Sequence, residues 1–351
     1  MSPAAPHGIP PTRLEAPRVR PGAVLRPRLL DQLDGALWQS ASLVSAPAGF
    51  GKSTLVAQWL EIHSHPHAWL TVEPSDNRPL GLLRGLLAML APHFPELADA
   101  VLPPGGSLVD LLGVWIIPRL AALREPFVIV LDDAHHLTDA DALHALGWLI
   151  ERLPGPCHFV IASRGRPELP LARLQVRGQL TIVDGRALRF SLDESRRFYT
   201  QTMALELTDD EVSALEARTE GWAAAIQLSA LSVRAGVDPL DLARTARPDR
   251  ALEQFLTEEV LARQAPHVRR FLLRTSILRR MSVAACEAVT GEGAREALAL
   301  LERENLFLVP LDAQGRWWRY HHLFSSLLGS VLERSDEPIP ELHRSACNWA
   351  C

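Results

Sequence analysis

Residues 46–54 read Ala46-Pro47-Ala48-Gly49-Phe50-Gly51-Lys52-Ser53-Thr54. The stretch follows a short strand pattern at residues 42–45 and opens onto a helical pattern over residues 53–63. Strand, glycine-rich turn and helix, in that order, is the setting in which a loop wraps a polyphosphate. Phosphate oxygens are met there by backbone N–H groups, so the chain must approach closely, and Gly49 and Gly51 permit it. The start of the helix adds N–H donors and a dipole that favours an anion. Residue chemistry then assigns Lys52 to the β and γ phosphates and the Ser53 hydroxyl to Mg2+. Residues Ala48, Gly49, Phe50, Gly51, Lys52, Ser53 and Thr54 form the expected cofactor-binding segment. Ala46 stands where the pattern usually begins with Gly, a small departure.

Lys52 is the only lysine among the 351 residues, and every other basic side chain in the sequence is Arg or His. GC-rich coding accounts for Arg wherever either cation serves. The exception falls where a compact ammonium on a flexible stem cannot be exchanged for a planar guanidinium.

A second stretch completes the site. Phe127-Val128-Ile129-Val130-Leu131 is a continuous apolar run, as in a strand buried on both faces, and it ends in Asp132-Asp133. A carboxylate at the carboxyl edge of such a strand is a second anchor for Mg2+, which assigns Asp132 to the metal and Asp133 to polarising the attacking water. His135 and His136 read as loop residues, because Mg2+ prefers oxygen. The next apolar run, residues 159–163, ends in Arg164, an expected reporter on the γ phosphate, with Arg166 near enough to compete.

From residue 24 to about 189 short apolar runs alternate with helical stretches at 80–90, 110–123 and 140–152. That alternation predicts an α/β fold, a parallel sheet with helices on both faces. From residue 191 the strand signal stops. Helical patterns cover 193–203, 208–219 and 222–235, then a charged stretch at 236–250 makes a boundary. Further helices at 251–263, 266–275, 283–289 and 294–303 precede a hairpin signal at 306–320 and a helix at 321–333. The expected organisation is a flexible leader at 1–22, a P-loop nucleotide-binding domain at 23–190, a helical segment at 191–249 and a winged-helix domain at 250–335. Residues 336–351 read as the start of a helical arm cut off mid-pattern.

Composition bounds the rest. Hydrophobic residues make up 47% and charged residues 22% of an ordinary globular chain, and 36 basic against 41 acidic residues leave a net charge of -5. No general attraction for nucleic acid or anionic membranes follows from that balance. Cys157, Cys286, Cys347 and Cys351 lack paired metal-ligand spacing and read as free thiols. No apolar run reaches the roughly 18 residues of a membrane span, and the Pro- and Arg-rich N-terminus lacks a signal-peptide core. The expected location is cytoplasmic.

Taken together, residues 45–54 and Val128-Ile-Val-Leu-Asp-Asp-Ala-His135 resemble the signal-transduction ATPases with numerous domains. More narrowly, the chain is similar to the large ATP-binding LuxR-type transcriptional regulators, the group that includes the maltose-regulon activator. Residues 24–30, 69–77, Thr219-Glu-Gly-Trp-Ala223 and Arg319-Tyr-His-His-Leu-Phe324 carry the likeness further, across about residues 23–346. The resemblance implies a nucleotide-binding domain, a small lid and a winged helix that closes over the nucleotide. It also implies a slow ATPase switch, in which ADP holds a closed monomer while ATP plus an inducer permits a homo-oligomer. Residue by residue, it places Val24, Leu25 and Arg26 by the adenosine and makes Arg164 the γ-phosphate sensor. It sets His321 on the β phosphate as a latch, with His322 the lesser candidate. The inducer would bind a sensor region beyond this sequence, where the family also carries its DNA-reading helix-turn-helix.

Two departures bear on activity. In the family a Glu often follows the acid after the tryptophan strand, whereas Glu73 is followed here by Pro74. Slow turnover, or binding alone, would follow if that position aids hydrolysis. The helix at 294–303 is mixed in charge, unlike a recognition helix against phosphate, so no direct DNA contact is expected of this chain. The alternatives to a regulatory switch are a stand-alone P-loop phosphotransferase and a non-hydrolysing nucleotide-dependent scaffold.

Overall fold

The apolar runs become strands. In the computed structural model, which describes residues 6–98, 107–245, 248, 250–312 and 314–350, the first five are β1 (Ala41–Ser45), β2 (His67–Thr71), β3 (Phe127–Asp132), β4 (Cys157–Ser163) and β5 (Leu180–Asp184). They form one sheet in the order β2-β3-β4-β1-β5, with every neighbouring pair parallel. Every residue of β1, β3 and β4 is buried, as the unbroken apolar run at 127–131 predicts for strands covered on both faces. Leu82, Leu83 and Leu86 from Pro79–Leu90 and Leu143 and Leu146 from Ala140–Glu151 share a core with Leu43, Ile129 and Phe159 of the sheet. Burying each such side chain stabilises the fold by about 1.5–3 kcal/mol.

One polar side chain inside this core is fully satisfied. His158 in β4 has no exposed surface, and its ring nitrogens meet the Gln39 carbonyl at 2.8 Å and the Ser42 hydroxyl at 3.0 Å. Burial pushes its pKa down to about 4, so the imidazole is neutral and serves packing.

Two expectations are corrected in this part of the chain. The single helix expected at 110–123 is two, Leu108–Trp115 and Ile117–Ala121, because Pro118 cannot donate a backbone hydrogen bond within a helix. The expected leader is anchored in part: Pro6–Gly8 and Pro11–Arg13 are short 3-10 turns. Arg13 is buried, donates to the Thr71 carbonyl at 3.0 Å and pairs with Asp76. Residues 1–5 of that leader lie outside the described residues.

The chain divides into two compact units, one of residues 1–46 and 51–188, the other of residues 47–50 and 189–351. Among its described residues the second is helical apart from a hairpin, β6 (Leu308–Pro310) against β7 (Trp318–Tyr320), and Met281 bridges to Trp318 beside it. Its helices include Asp209–Thr219, Ala223–Arg234, Pro266–Thr275, Val283–Thr290, Ala294–Arg303 and His322–Glu333. The segments expected as lid and winged helix pack into this one unit, and the charged stretch at 236–250 holds a helix at Pro239–Arg244. Residues 246, 247 and 249 of that stretch lie outside the described residues. Ile339–Ala350 is helical, as expected for the arm. Cys157, Cys286 and Cys347 are free, while Cys351 lies outside the described residues. Among the described residues no helix is long and apolar enough to cross a membrane.

Candidate functional site

The parallel register sets the carboxyl ends of β1, β3 and β4 side by side. Ser45 aligns with Ser163, and Asp132 closes β3. From β1 the loop leaves at Ala46, whose N–H donates to the Ser163 carbonyl at 3.3 Å, and it enters helix α2 (Lys52–His63) through Gly51. Gly51 adopts φ 77°, a left-handed conformation that costs a side chain about 1–2 kcal/mol. As the N-cap it brings no side chain to the helix start, and the first turn holds no acidic residue. That end of α2 is therefore suited to an anion.

Lys52, Ser53, Asp132, Asp133 and Arg164 are brought together here. Lys52 is buried and its Nζ donates to the Ala46 carbonyl at 2.9 Å. Burial pulls its pKa down to about 8, against the opposing charges of Asp133 and Asp132, while the nearby Arg164 lowers it further. The Ser53 hydroxyl donates to Asp132 Oδ1 at 2.9 Å. Asp132 is pushed up to about 6, chiefly by burial, with the Ser53 hydrogen bond opposing and the Asp133 charge adding. Two hard oxygen donors, one hydroxyl and one carboxylate, thus stand adjacent, a donor set that fits Mg2+. Asp133 has a left-handed backbone (φ 53°) and lies 3.6 Å from His135 Nδ1. His135 and His136 form the 3-10 turn after β3, as expected of loop residues. Of the competing arginines, Arg166 is exposed and reaches Gln175 at 3.4 Å, so Arg164 is the one whose charge Lys52 feels. Thr54 is exposed in the first turn of α2.

The adenosine candidates lie just before helix α1 (Pro27–Asp34), in the same unit. The Val24 carbonyl accepts from Gln58 at 3.4 Å and Leu25 is 49% exposed. Arg26 is buried, with its guanidinium donating to the Leu188 carbonyl at 2.6 Å.

The residues between Ala46 and Gly51 belong to the second unit, which sequence reasoning did not foresee. Trp222, fully buried, donates from Nε1 to the Ala48 carbonyl at 3.1 Å, and the Ala224 N–H donates to the Gly49 carbonyl at 2.9 Å. A Cβ on Gly49 would stand 2.6 Å from the Ala224 Cβ, so this position needs glycine for close approach as well as for its φ of 76°. Phe50 is buried against Trp222 and Phe307, at ring separations of 6.4 and 6.3 Å. His321 packs edge-on to Trp222 at 5.7 Å and contacts the Thr219 carbonyl through Nε2 at 3.2 Å. It is 1% exposed, and burial pulls its pKa down to about 4, so the ring is neutral; its Nδ1 has no hydrogen-bond partner. His322 instead pairs with Glu220 at 2.6 Å. Trp222 carried a signal in the sequence, since a buried indole N–H needs an acceptor, but its acceptor lies far away along the chain.

With that geometry in place, the comparisons with known proteins say what the chain is similar to. A model of the AAA ATPase domain matches residues 24–161, and a model of the MalT winged helix domain matches residues 257–339. The chain joins an AAA ATPase domain to a MalT winged helix domain. This upholds the resemblance to the MalT regulators. Over 99% of its length the chain is 34% identical to the serine/threonine-protein kinase PknK of Mycobacterium tuberculosis, covering 32% of that protein. It is 32% identical to the HTH-type transcriptional regulator MalT of Cronobacter sakazakii over 97% of its length and 39% of the regulator. It therefore spans about a third of the length of these relatives. A Walker-type ATPase of Pyrococcus abyssi shares the fold at TM-score 0.58 and 14% identity, over 89% of this chain and 99% of that one. The AAA ATPase match takes in the loop, α2 and the Asp132–Asp133 pair, and the MalT winged helix match takes in β6, β7 and His321.

Proposed function

We propose that this chain is the nucleotide-operated regulatory part of a LuxR-type transcriptional activator, working as a slow ATPase switch. The observation that carries it is the grouping of buried Lys52 with the Ser53–Asp132 pair at the start of α2. The MalT winged helix match behind the AAA ATPase domain supports a regulatory role for that site. ATP and ADP bind with their phosphates against residues 48–54, and Val24, Leu25 and Arg26 flank the adenosine. Ser53 and Asp132 would hold Mg2+, which when bound supplies positive charge against the phosphate oxygens. Lys52 neutralises the β and γ phosphates, Asp133 orients water, and Arg164 distinguishes ATP from ADP. Neutral His321 latches the ADP state as a hydrogen-bonding group.

ADP keeps the molecule closed and monomeric, and ATP permits self-association. An inducer of unknown identity binds a further region, DNA is not touched by this chain, and the setting is the cytoplasm. Light scattering on ADP-loaded and ATP-analogue-loaded protein tests the switch. Self-association only with the analogue, lost in Arg164→Ala while ADP affinity stays within about threefold, is the expected result. The same monomeric mass in both nucleotides would refute it.

A further inference from the structure

Away from the phosphate loop, the far ends of α1 and α2 bring a carboxylate and two imidazoles together. Asp34 is the last residue of α1 and His63 the last of α2. Ser64 then turns the chain through a left-handed conformation (φ 52°), and the His65 N–H donates back to the Leu60 carbonyl at 3.2 Å. This reversal lays the His65 ring parallel to that of His63, with centroids 5.4 Å apart and planes 4° apart. Trp59 braces the His65 ring at 5.1 Å, and the His67 ring holds the His65 carbonyl at 2.8 Å.

Both rings aim a nitrogen at the same oxygen. Asp34 Oδ1 lies 3.3 Å from His63 Nδ1 and 3.0 Å from His65 Nε2, and one donor atom from each residue falls within 4.8 Å of the others. We propose that Asp34, His63 and His65 bind a divalent first-row transition metal ion of the zinc class, clipping the end of α1 to the end of α2. A tetrahedral ion with bonds of about 2.0–2.1 Å holds its ligand atoms about 3.3–3.4 Å apart, close to both nitrogen–oxygen separations here. Two imidazoles and one carboxylate select such an ion over Mg2+ or Ca2+, which take oxygen. The three side chains are 39%, 30% and 15% exposed in chain order, so an ion can enter and water can fill a fourth position.

A second cluster of the same residue types shows what disqualifies a site. Glu220, His321 and His322 also place donor atoms within 4.8 Å. There, however, Arg319 holds both Glu220 oxygens at 2.9 Å and Arg189 adds a contact at 3.2 Å. Two guanidinium groups already neutralise that carboxylate and repel a metal ion. At Asp34 the carboxylate instead meets the two imidazoles.

Zn2+ titration of the whole chain, free of any polyhistidine tag and saturated with Mg·ADP, in competition with a chromophoric chelator, tests the site. One equivalent of Zn2+ is expected, with affinity reduced at least about 100-fold in the double variant His63→Ala/His65→Ala. Asp34→Asn provides a second, milder variant if the double variant does not fold. Zn2+ should also raise the thermal midpoint of wild type and leave that of the variants unchanged. Stoichiometric binding that survives in the variants, or wild type that binds no more tightly than they do, would overturn the proposal.

Discussion

Ser53 Oγ donates to Asp132 Oδ1 across 2.9 Å, tying the first turn of α2 to the last residue of β3. Two segments 79 residues apart in sequence thereby present adjacent oxygen donors beside Lys52. Asp132→Asn keeps an oxygen to accept from Ser53 and removes the charge. Magnesium-dependent ATP affinity should fall at least about tenfold, while ADP binding without magnesium changes little. Calorimetry with and without Mg2+ checks this; unchanged magnesium dependence would remove Asp132 from the metal site.

The two shifted groups set a pH window. Asp132, raised to about 6 by burial, keeps a proton at a pH where an exposed Asp has lost it. Mg2+ needs the ionised form, so Mg·ATP affinity should drop as pH falls through 6, by about tenfold per unit at the limit. Lys52, lowered to about 8, loses its charge as pH rises through that value, so affinity should weaken again on the alkaline side. Affinity measured from pH 5 to 9 should therefore peak between the two, and the acid limb should vanish in Asp132→Asn.

Gly49 and Gly51 should respond differently to alanine. At Gly51 nothing lies within 4 Å of an added Cβ, so the cost is the backbone strain of about 1–2 kcal/mol. At Gly49 the same strain is joined by the 2.6 Å approach to Ala224. Thermal unfolding should show Gly49→Ala as the more destabilising, and Ala224→Gly should restore part of that loss without helping Gly51→Ala.

Much of this was legible because local sequence and burial agree. Phe127 to Leu131 reads as a strand buried on both faces, and Gly51 and Lys52 mark the loop by chemistry that needs no distant partner. Pro118 was visible too, yet the helical pattern around it masked the break. What stayed hidden depends on residues far apart in the chain. The bond from Trp222 to the Ala48 carbonyl spans 174 positions, and that from Arg13 to Asp76 spans 63. No periodicity encodes either pairing.

Trp222→Phe tests the first of these hidden contacts. The ring volume is largely kept while the Ala48 carbonyl loses its indole donor, a loss of about 1–3 kcal/mol for a buried acceptor. Chemical denaturation should register that loss, and ADP should dissociate faster as the loop loosens. Wild-type stability in this variant would mean that the indole contact contributes nothing to holding the loop.

The most direct test is titration calorimetry of folded wild type and Lys52→Ala with Mg·ATP and with ADP. Wild type should bind both nucleotides at one site per chain, and Lys52→Ala should lose at least about 100-fold in affinity, because a charged hydrogen-bond donor to the phosphates is gone. Absence of binding heat in folded wild type, or equal affinity in the variant, would contradict the nucleotide switch.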